Sequence, residues 1–177
     1  MKKIWMAVFL VPRLAFSLFG VGDTPTNYCW MDVDDKKVCL EDDFGYAVRV
    51  LLFNAGWCGP CNDEFGDLEK ATAEFKNKQV YFISLSSEGW NRPSRADRTF
   101  LQEWRDKHGL DKAAANFVIA ASPRHSGEDF FNSPGIPNVV IIDTRGKVAY
   151  KAINPGVDKI VQEVRKICPR PLGPPPP

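Results

Sequence analysis

Val48-Arg49-Val50-Leu51-Leu52-Phe53-Asn54-Ala55-Gly56-Trp57-Cys58-Gly59-Pro60-Cys61 is the stretch on which the reading of this chain turns. Its first six residues are β-branched, aliphatic or aromatic but for one arginine, and small turn-forming residues follow: the pattern of a short buried strand. Gly59-Pro60 suits the first turn of a helix, where proline's missing N–H is no loss and its φ is already helical. Beyond it Phe65, Leu68, Ala71, Thr72 and Phe75 recur at steps of three and four, so the spacing predicts one apolar helix face as far as Phe75. Cys58 then lies at the mouth of that helix. Unpaired N–H groups and the helix dipole favour a thiolate there, and the thiolate is the nucleophile of disulfide exchange. Cys61, one turn further in, is placed to close a ring and release whatever Cys58 has captured.

Trp57-Cys58-Gly59-Pro60-Cys61 resembles the active-site pentapeptide of the thioredoxin family. A structural disulfide or half of a zinc site are the plain alternatives. Zinc needs a second ligand pair, and neither Cys29/Cys39 nor the separate His108 and His125 supplies one at suitable spacing, so no metal is expected. No cofactor is expected either.

The composition bounds what remains. A chain of 177 residues with 44% hydrophobic content makes one domain with a real core. With 23 basic and 22 acidic residues there is no single-sign field, so nucleic acid is not implied as a partner, and proteins are. Residues 1–22 begin Met1-Lys2-Lys3, continue apolar from Ile4 to Val11, and resemble a signal peptide, with Ala15-Phe16-Ser17 as a cleavage site. Arg13 argues against a bilayer-spanning helix. The readings are an export signal, cleaved or kept as a membrane anchor, or an N-terminal helix packed on the domain, or a misplaced start. The domain is expected over 23–168, with a proline-rich tail over 169–177.

Within the domain, Asn27 to Leu40 reads as a β-hairpin with a polar turn, which brings Cys29 near Cys39. They are either a local disulfide or two small buried apolar residues. An opening hairpin before an acidic stretch and the redox strand is similar to the exported TlpA/ResA-like branch of thioredoxin-fold proteins. That resemblance implies a glutamate in the loop after the next strand, Gln79 to Leu85, able to exchange protons with the resolving thiol, and Glu88 falls at that place. Cytoplasmic thioredoxins carry a buried aspartate six residues before the first cysteine. Here that position is Leu52, so the proton handler must lie elsewhere or be absent.

Thr99 to His108 is expected as a helix with Phe100, Leu101 and Trp104 inward, Gly109 as its stop and His108 at the surface. Residues 110–127 read as helix or strand and are taken as an insertion near the site. Ile136-Pro137 opens an antiparallel hairpin that turns at Asp143 to Gly146. By resemblance Pro137 is the cis-proline that faces the two cysteines, with Ile136 offering its backbone to a substrate strand, while Asn138 departs from the usual threonine. Val157 to Ile167 is the closing helix, ended by Cys168, the odd thiol, read as a small partly buried residue.

The expected architecture is α/β: a thioredoxin fold, with a central mixed sheet flanked by helices, an N-terminal hairpin and an insertion. Inside the motif, Asn62 stands where relatives carry a basic residue and Gly66 where they carry a kinking proline. Asp63 and Glu64 bring negative charge towards the helix start. The resemblance implies a periplasmic or exported thiol-disulfide oxidoreductase that reduces exported proteins, in the manner of cytochrome c maturation. Its partners would be disulfide-containing protein substrates and a dithiol electron donor. By analogy with thioredoxin's Gly-Pro dipeptide, the potential would lie near about −270 mV, against about −120 mV for a strong oxidant. The alternatives are a disulfide oxidase or isomerase, or a non-catalytic peptide-binding chaperone on the same fold.

Overall fold

The computed structural model describes residues 19–76, 79–110, 116–122, 131 and 135–168. Residues 1–18, within the segment expected as a signal or anchor, and the 169–177 tail lie outside the described residues. In chain order the elements are β1 (Cys29–Asp32), β2 (Lys37–Cys39), β3 (Val48–Asn54), α1 (Gly59–Ala71), β4 (Val80–Ser86), α2 (Arg98–Lys107), β5 (Asn116–Ala121), β6 (Asn138–Ile142), β7 (Val148–Ile153) and α3 (Val157–Ile167). They form a seven-stranded mixed sheet in the order β2-β1-β5-β4-β3-β6-β7. β3, β4 and β5 run parallel, and β1, β2, β6 and β7 pair antiparallel to their neighbours. The helix α1 carries the chain from β3 across to β4, which a parallel pair requires.

β3 is the axis of the molecule. All seven of its residues are buried, and it pairs with β4 on one side and β6 on the other. Its side chains alternate between two apolar clusters, as a pleated strand must. Val48, Val50 and Leu52 join Cys61, Phe65 and Leu68 of α1, Leu101 and Trp104 of α2, and Ile160 and Val164 of α3. Leu51 and Phe53 face the other layer, with Phe19, Trp30, Phe44 and Phe131, the last at a helical position. Arg49 is the charged residue in this strand. It is buried and donates from Nη1 to Gly45 O (2.9 Å) and from Nη2 to Asp143 O (2.8 Å), pinning the β6–β7 turn to the sheet.

The hairpin β1–β2 places Cys29 opposite Cys39, and the two are joined by a disulfide. Its turn is held by Asp32, whose Oδ1 accepts from the backbone N–H groups of Asp34 and Lys36.

Three expectations change. The helix after the cysteines ends at Ala71, and Phe75 reaches the core from a separate 3₁₀ turn, Ala73–Phe75. Thr72 causes the break: its hydroxyl donates back to Leu68 O (2.7 Å) and Glu69 O (3.1 Å), which tightens the turn. Residues 116–121, taken as part of an insertion, are β5, seated between β1 and β4 in the body of the sheet. His108 is buried, packed on the rings of Trp104 (4.3 Å) and Phe65 (5.8 Å), because the end of α2 turns inward and meets Phe65 of α1.

Candidate active site

The carboxyl end of β3 and the loop after β4 are fastened together before either reaches the cysteines. Ser87 N–H donates to Asn54 O (3.0 Å), and Gly56 N–H donates to Glu88 O (3.0 Å). Between the strand ends, Asn54 Nδ2 donates to Ser84 Oγ (3.0 Å), and Ser86 Oγ donates to Asn54 Oδ1 (2.5 Å), so this buried polar group is internally satisfied. The loops approach so closely that a Cβ on Gly56 would lie 2.6 Å from Phe100 Cε2 and 2.7 Å from the Gly89 backbone. Only glycine fits there.

From that anchored loop the chain enters α1 with Cys58 as its N-cap and Gly59-Pro60 in the first turn. Cys58 Sγ accepts from Cys61 N–H (3.2 Å), so the sulfur occupies the place where a helix N-terminus offers its unpaired donors. Cys58 and Cys61 are joined by a disulfide across a Cα separation of 5.2 Å. Both are buried, with Cys58 at 3% exposure and Cys61 at none, so the first is the more accessible of the two.

Asn62 ties the turn down. Its Nδ2 donates to Gly56 O (3.1 Å) and to Cys58 O (2.8 Å), and its Oδ1 accepts from Lys107 Nζ (2.6 Å) on α2. A cation thus stands beside the position where relatives are expected to carry a basic side chain, contributed by another helix.

Glu88 is buried, and its Oε2 accepts from Trp57 Nε1 (2.6 Å). The structure therefore brings Glu88 to the tryptophan flanking Cys58. Pro137 is preceded by a cis bond from Ile136 and is buried, one step beyond the Phe53–Asn138 pair, at the end of β3 that leads to the cysteines. Asn138 is fully buried, and neither atom of its amide has a hydrogen-bond partner.

Sequence reasoning passed over Glu64 as a site residue. It lies three residues beyond Cys61 on the inward stripe of α1, buried, with no hydrogen-bond partner at either carboxyl oxygen. Burial alone pushes its carboxyl up to about 7. The first turn of α1 holds no acidic residue, so the charge expected near the helix start is one turn further in, and at Glu64 it is absent below neutrality. A signal existed: an acid on an otherwise apolar stripe of Cys61, Phe65 and Leu68. Leu52, where cytoplasmic thioredoxins carry a buried acid, is in the core, and the buried glutamates are Glu64 on α1 and Glu88 after β4. Among the described residues no cluster of His, Cys, Asp and Glu is arranged to hold a metal.

Comparison with known proteins agrees with this geometry. The thiol-disulfide oxidoreductase ResA of Halalkalibacterium halodurans is 22% identical over 151 residues, 85% of this chain and 78% of that protein. The thioredoxin domain of a thiol-disulfide oxidoreductase from Bacteroides vulgatus superposes with a TM-score of 0.63 at 21% identity, over 85% of this chain and 99% of that one. A secreted disulfide oxidoreductase of Mycobacterium tuberculosis gives 0.61 at 20% identity, over 79% and 96%. These likenesses establish a thioredoxin-like fold. The sequence model of the AhpC/TSA family matches residues 21–151, most of the chain, and on that match the chain belongs to the AhpC/TSA family.

Proposed function

We propose that this chain is a thiol-disulfide oxidoreductase that reduces disulfides of exported proteins through Cys58 and Cys61. The observation that carries it is the pair itself: two cysteines joined at the mouth of a helix, the outer one capping it and keeping 3% exposure where the inner one has none. In the reduced protein the helix terminus favours the Cys58 thiolate. That thiolate attacks one sulfur of a substrate disulfide; the S–S bond breaks, the other substrate sulfur leaves as a thiolate, and a mixed disulfide forms. Cys61, once deprotonated, attacks Cys58 Sγ, the mixed disulfide breaks, and the substrate departs with two thiols. Two electrons have passed to the substrate, and Cys58–Cys61 is the oxidised product. A dithiol donor restores it by the reverse exchange.

Glu64 suits the proton transfer at Cys61. It is a carboxyl close in sequence on the same helix face, held neutral or charged around pH 7 by burial. Glu88 holds Trp57 beside Cys58 through the indole N–H, and by resemblance it is the second carboxyl able to exchange protons with the resolving thiol. Pro137, by resemblance, presents Ile136 to an extended substrate segment. The Cys29–Cys39 disulfide accords with an oxidising compartment. In this reading residues 1–22 export the chain and are cleaved or kept as an anchor, and the periplasm is the working site, with cytochrome c maturation one setting. Insulin reduction tests the reading directly. Cys58→Ser abolishes turnover and Cys61→Ala accumulates a mixed disulfide; retained activity in Cys58→Ser overturns the assignment.

A further inference from the structure

The loop between β4 and α2 builds a feature that the exchange chemistry does not use. Trp57, the neighbour of Cys58, is gripped from two directions. Its indole N–H is bound by Glu88, and the guanidinium of Arg92 lies over its ring, 3.4 Å from the ring centroid. Arg92 Nε stands 3.9 Å from Glu88 Oε2, an ion-pair separation longer than a hydrogen bond, and its side chain is 64% exposed. The loop that presents it is fixed. Gly89 N–H donates to Ser94 O (3.0 Å), and Trp90 packs on Phe100 (5.1 Å) and Trp104 (5.9 Å) while its Nε1 donates to Glu103 (2.6 Å).

The charges of this loop are spent unequally. Its acids already have partners: Glu88 binds the indole and lies 3.9 Å from Arg92 itself, and Asp97 caps α2 at Phe100 N–H (2.8 Å). Its arginines at 92 and 95 remain exposed. A guanidinium stacked face-down on an aromatic ring keeps its in-plane N–H donors at the edge, and that fork matches a carboxylate. The result is an exposed guanidinium seated on the ring of Trp57, the residue that precedes Cys58.

Resting on the oxidoreductase reading, we propose that Arg92 is a specificity-determining residue that selects target disulfides flanked by a carboxylate side chain. The acidic side chain would bridge to the guanidinium edge while the substrate sulfur lies at Cys58. The contact with the Trp57 ring restricts the side chain, so less of its freedom is lost on engagement.

The test uses the full chain and two oxidised peptides with one intramolecular disulfide each, identical except for Glu or Lys beside the cysteine. Wild type should reduce the Glu peptide with a kcat/KM roughly fivefold higher, the scale of one exposed charge pair, and 0.5 M NaCl should shrink that ratio. In Arg92→Gln the ratio collapses towards one; in Arg92→Lys part of it survives, since the charge remains but the planar fork does not. A ratio preserved in Arg92→Gln overturns the proposal, even if both rates fall, because a residue that only props Trp57 slows both peptides alike. Binding of the same peptides with Ser for Cys, followed by tryptophan fluorescence, separates the two claims. If neither disulfide is reduced yet the Glu peptide binds more tightly and Arg92→Gln erases the difference, the oxidoreductase reading fails and carboxylate selection by Arg92 stands. Equal binding of the two peptides to wild type removes that selection.

Discussion

Replacing Glu64 by Gln removes the charge of a buried carboxyl while keeping its shape, and the consequence is a change in how stability depends on pH. In the folded chain burial raises this carboxyl from 4.5 to about 7. A raised acid contributes stability that is present below pH 4.5 and lost as pH climbs through 7, because the unfolded chain ionises first and freely. At about 1.4 kcal/mol per pH unit, the loss between pH 4 and pH 8 is about 3 kcal/mol. His108 slopes the other way in nearly the same window. Burial, and then Lys107 beside it, push its imidazole from 6.5 down to about 4, so its contribution is lost as pH falls from 6.5 through 4. The wild-type profile sums two opposed slopes, and the informative quantity is the difference between wild type and E64Q. Urea unfolding of the oxidised protein, followed by its tryptophans at half-unit steps from pH 4 to 8, measures it. The two proteins should be close near pH 4, and E64Q should be more stable by about 3 kcal/mol at pH 8. Parallel curves across that range would refute the reasoning, for they would mean that the carboxyl ionises on folding as readily as in water. In turnover, E64Q should also flatten the wild-type pH dependence near 7.

Other outcomes follow from packing. Gly66 lies exposed within α1, and a Cβ there meets nothing within 4 Å; Gly66→Ala should raise stability by about 0.5–1 kcal/mol in the same titration. Gly56→Ala puts a methyl into the Gly89 backbone at 2.7 Å, and a loss of roughly 1–3 kcal/mol, with slower disulfide exchange, should appear in thermal melts and insulin reduction. Trp104 is fully buried against Phe65 and Phe100, so Trp104→Ala should cost about 3–5 kcal/mol by urea unfolding. Joint Cys29→Ser and Cys39→Ser opens a loop of sequence separation 10, which the chain-entropy relation puts at about 2.5 kcal/mol in a comparison of denaturation midpoints. Insulin reduction by that double variant should persist.

What the linear chain determined by itself was local. The run from Val48 to Phe53, the Gly59-Pro60 entry to a helix, the two thiols one turn apart and the Pro137 hairpin were all legible, because strand, cap and turn chemistry act over a few residues. What only the tertiary structure decided depends on partners distant in sequence. Asn116 to Ala121 has no strong period of its own and becomes a strand because β1 and β4 satisfy its backbone from both sides. His108 looks polar and terminal, yet the rings of Trp104 and Phe65 cover it; Glu64 looks like a solvated helix acid, yet the fold buries it. Arg92 sits in an unpatterned loop, and nothing in its neighbourhood along the chain foretells that it would lie on the ring of Trp57. Burial and electrostatic environment are properties of assembled surfaces. The cysteine pair could therefore be read from a pentapeptide, whereas the burial and charge of the groups around it were set by long-range contact.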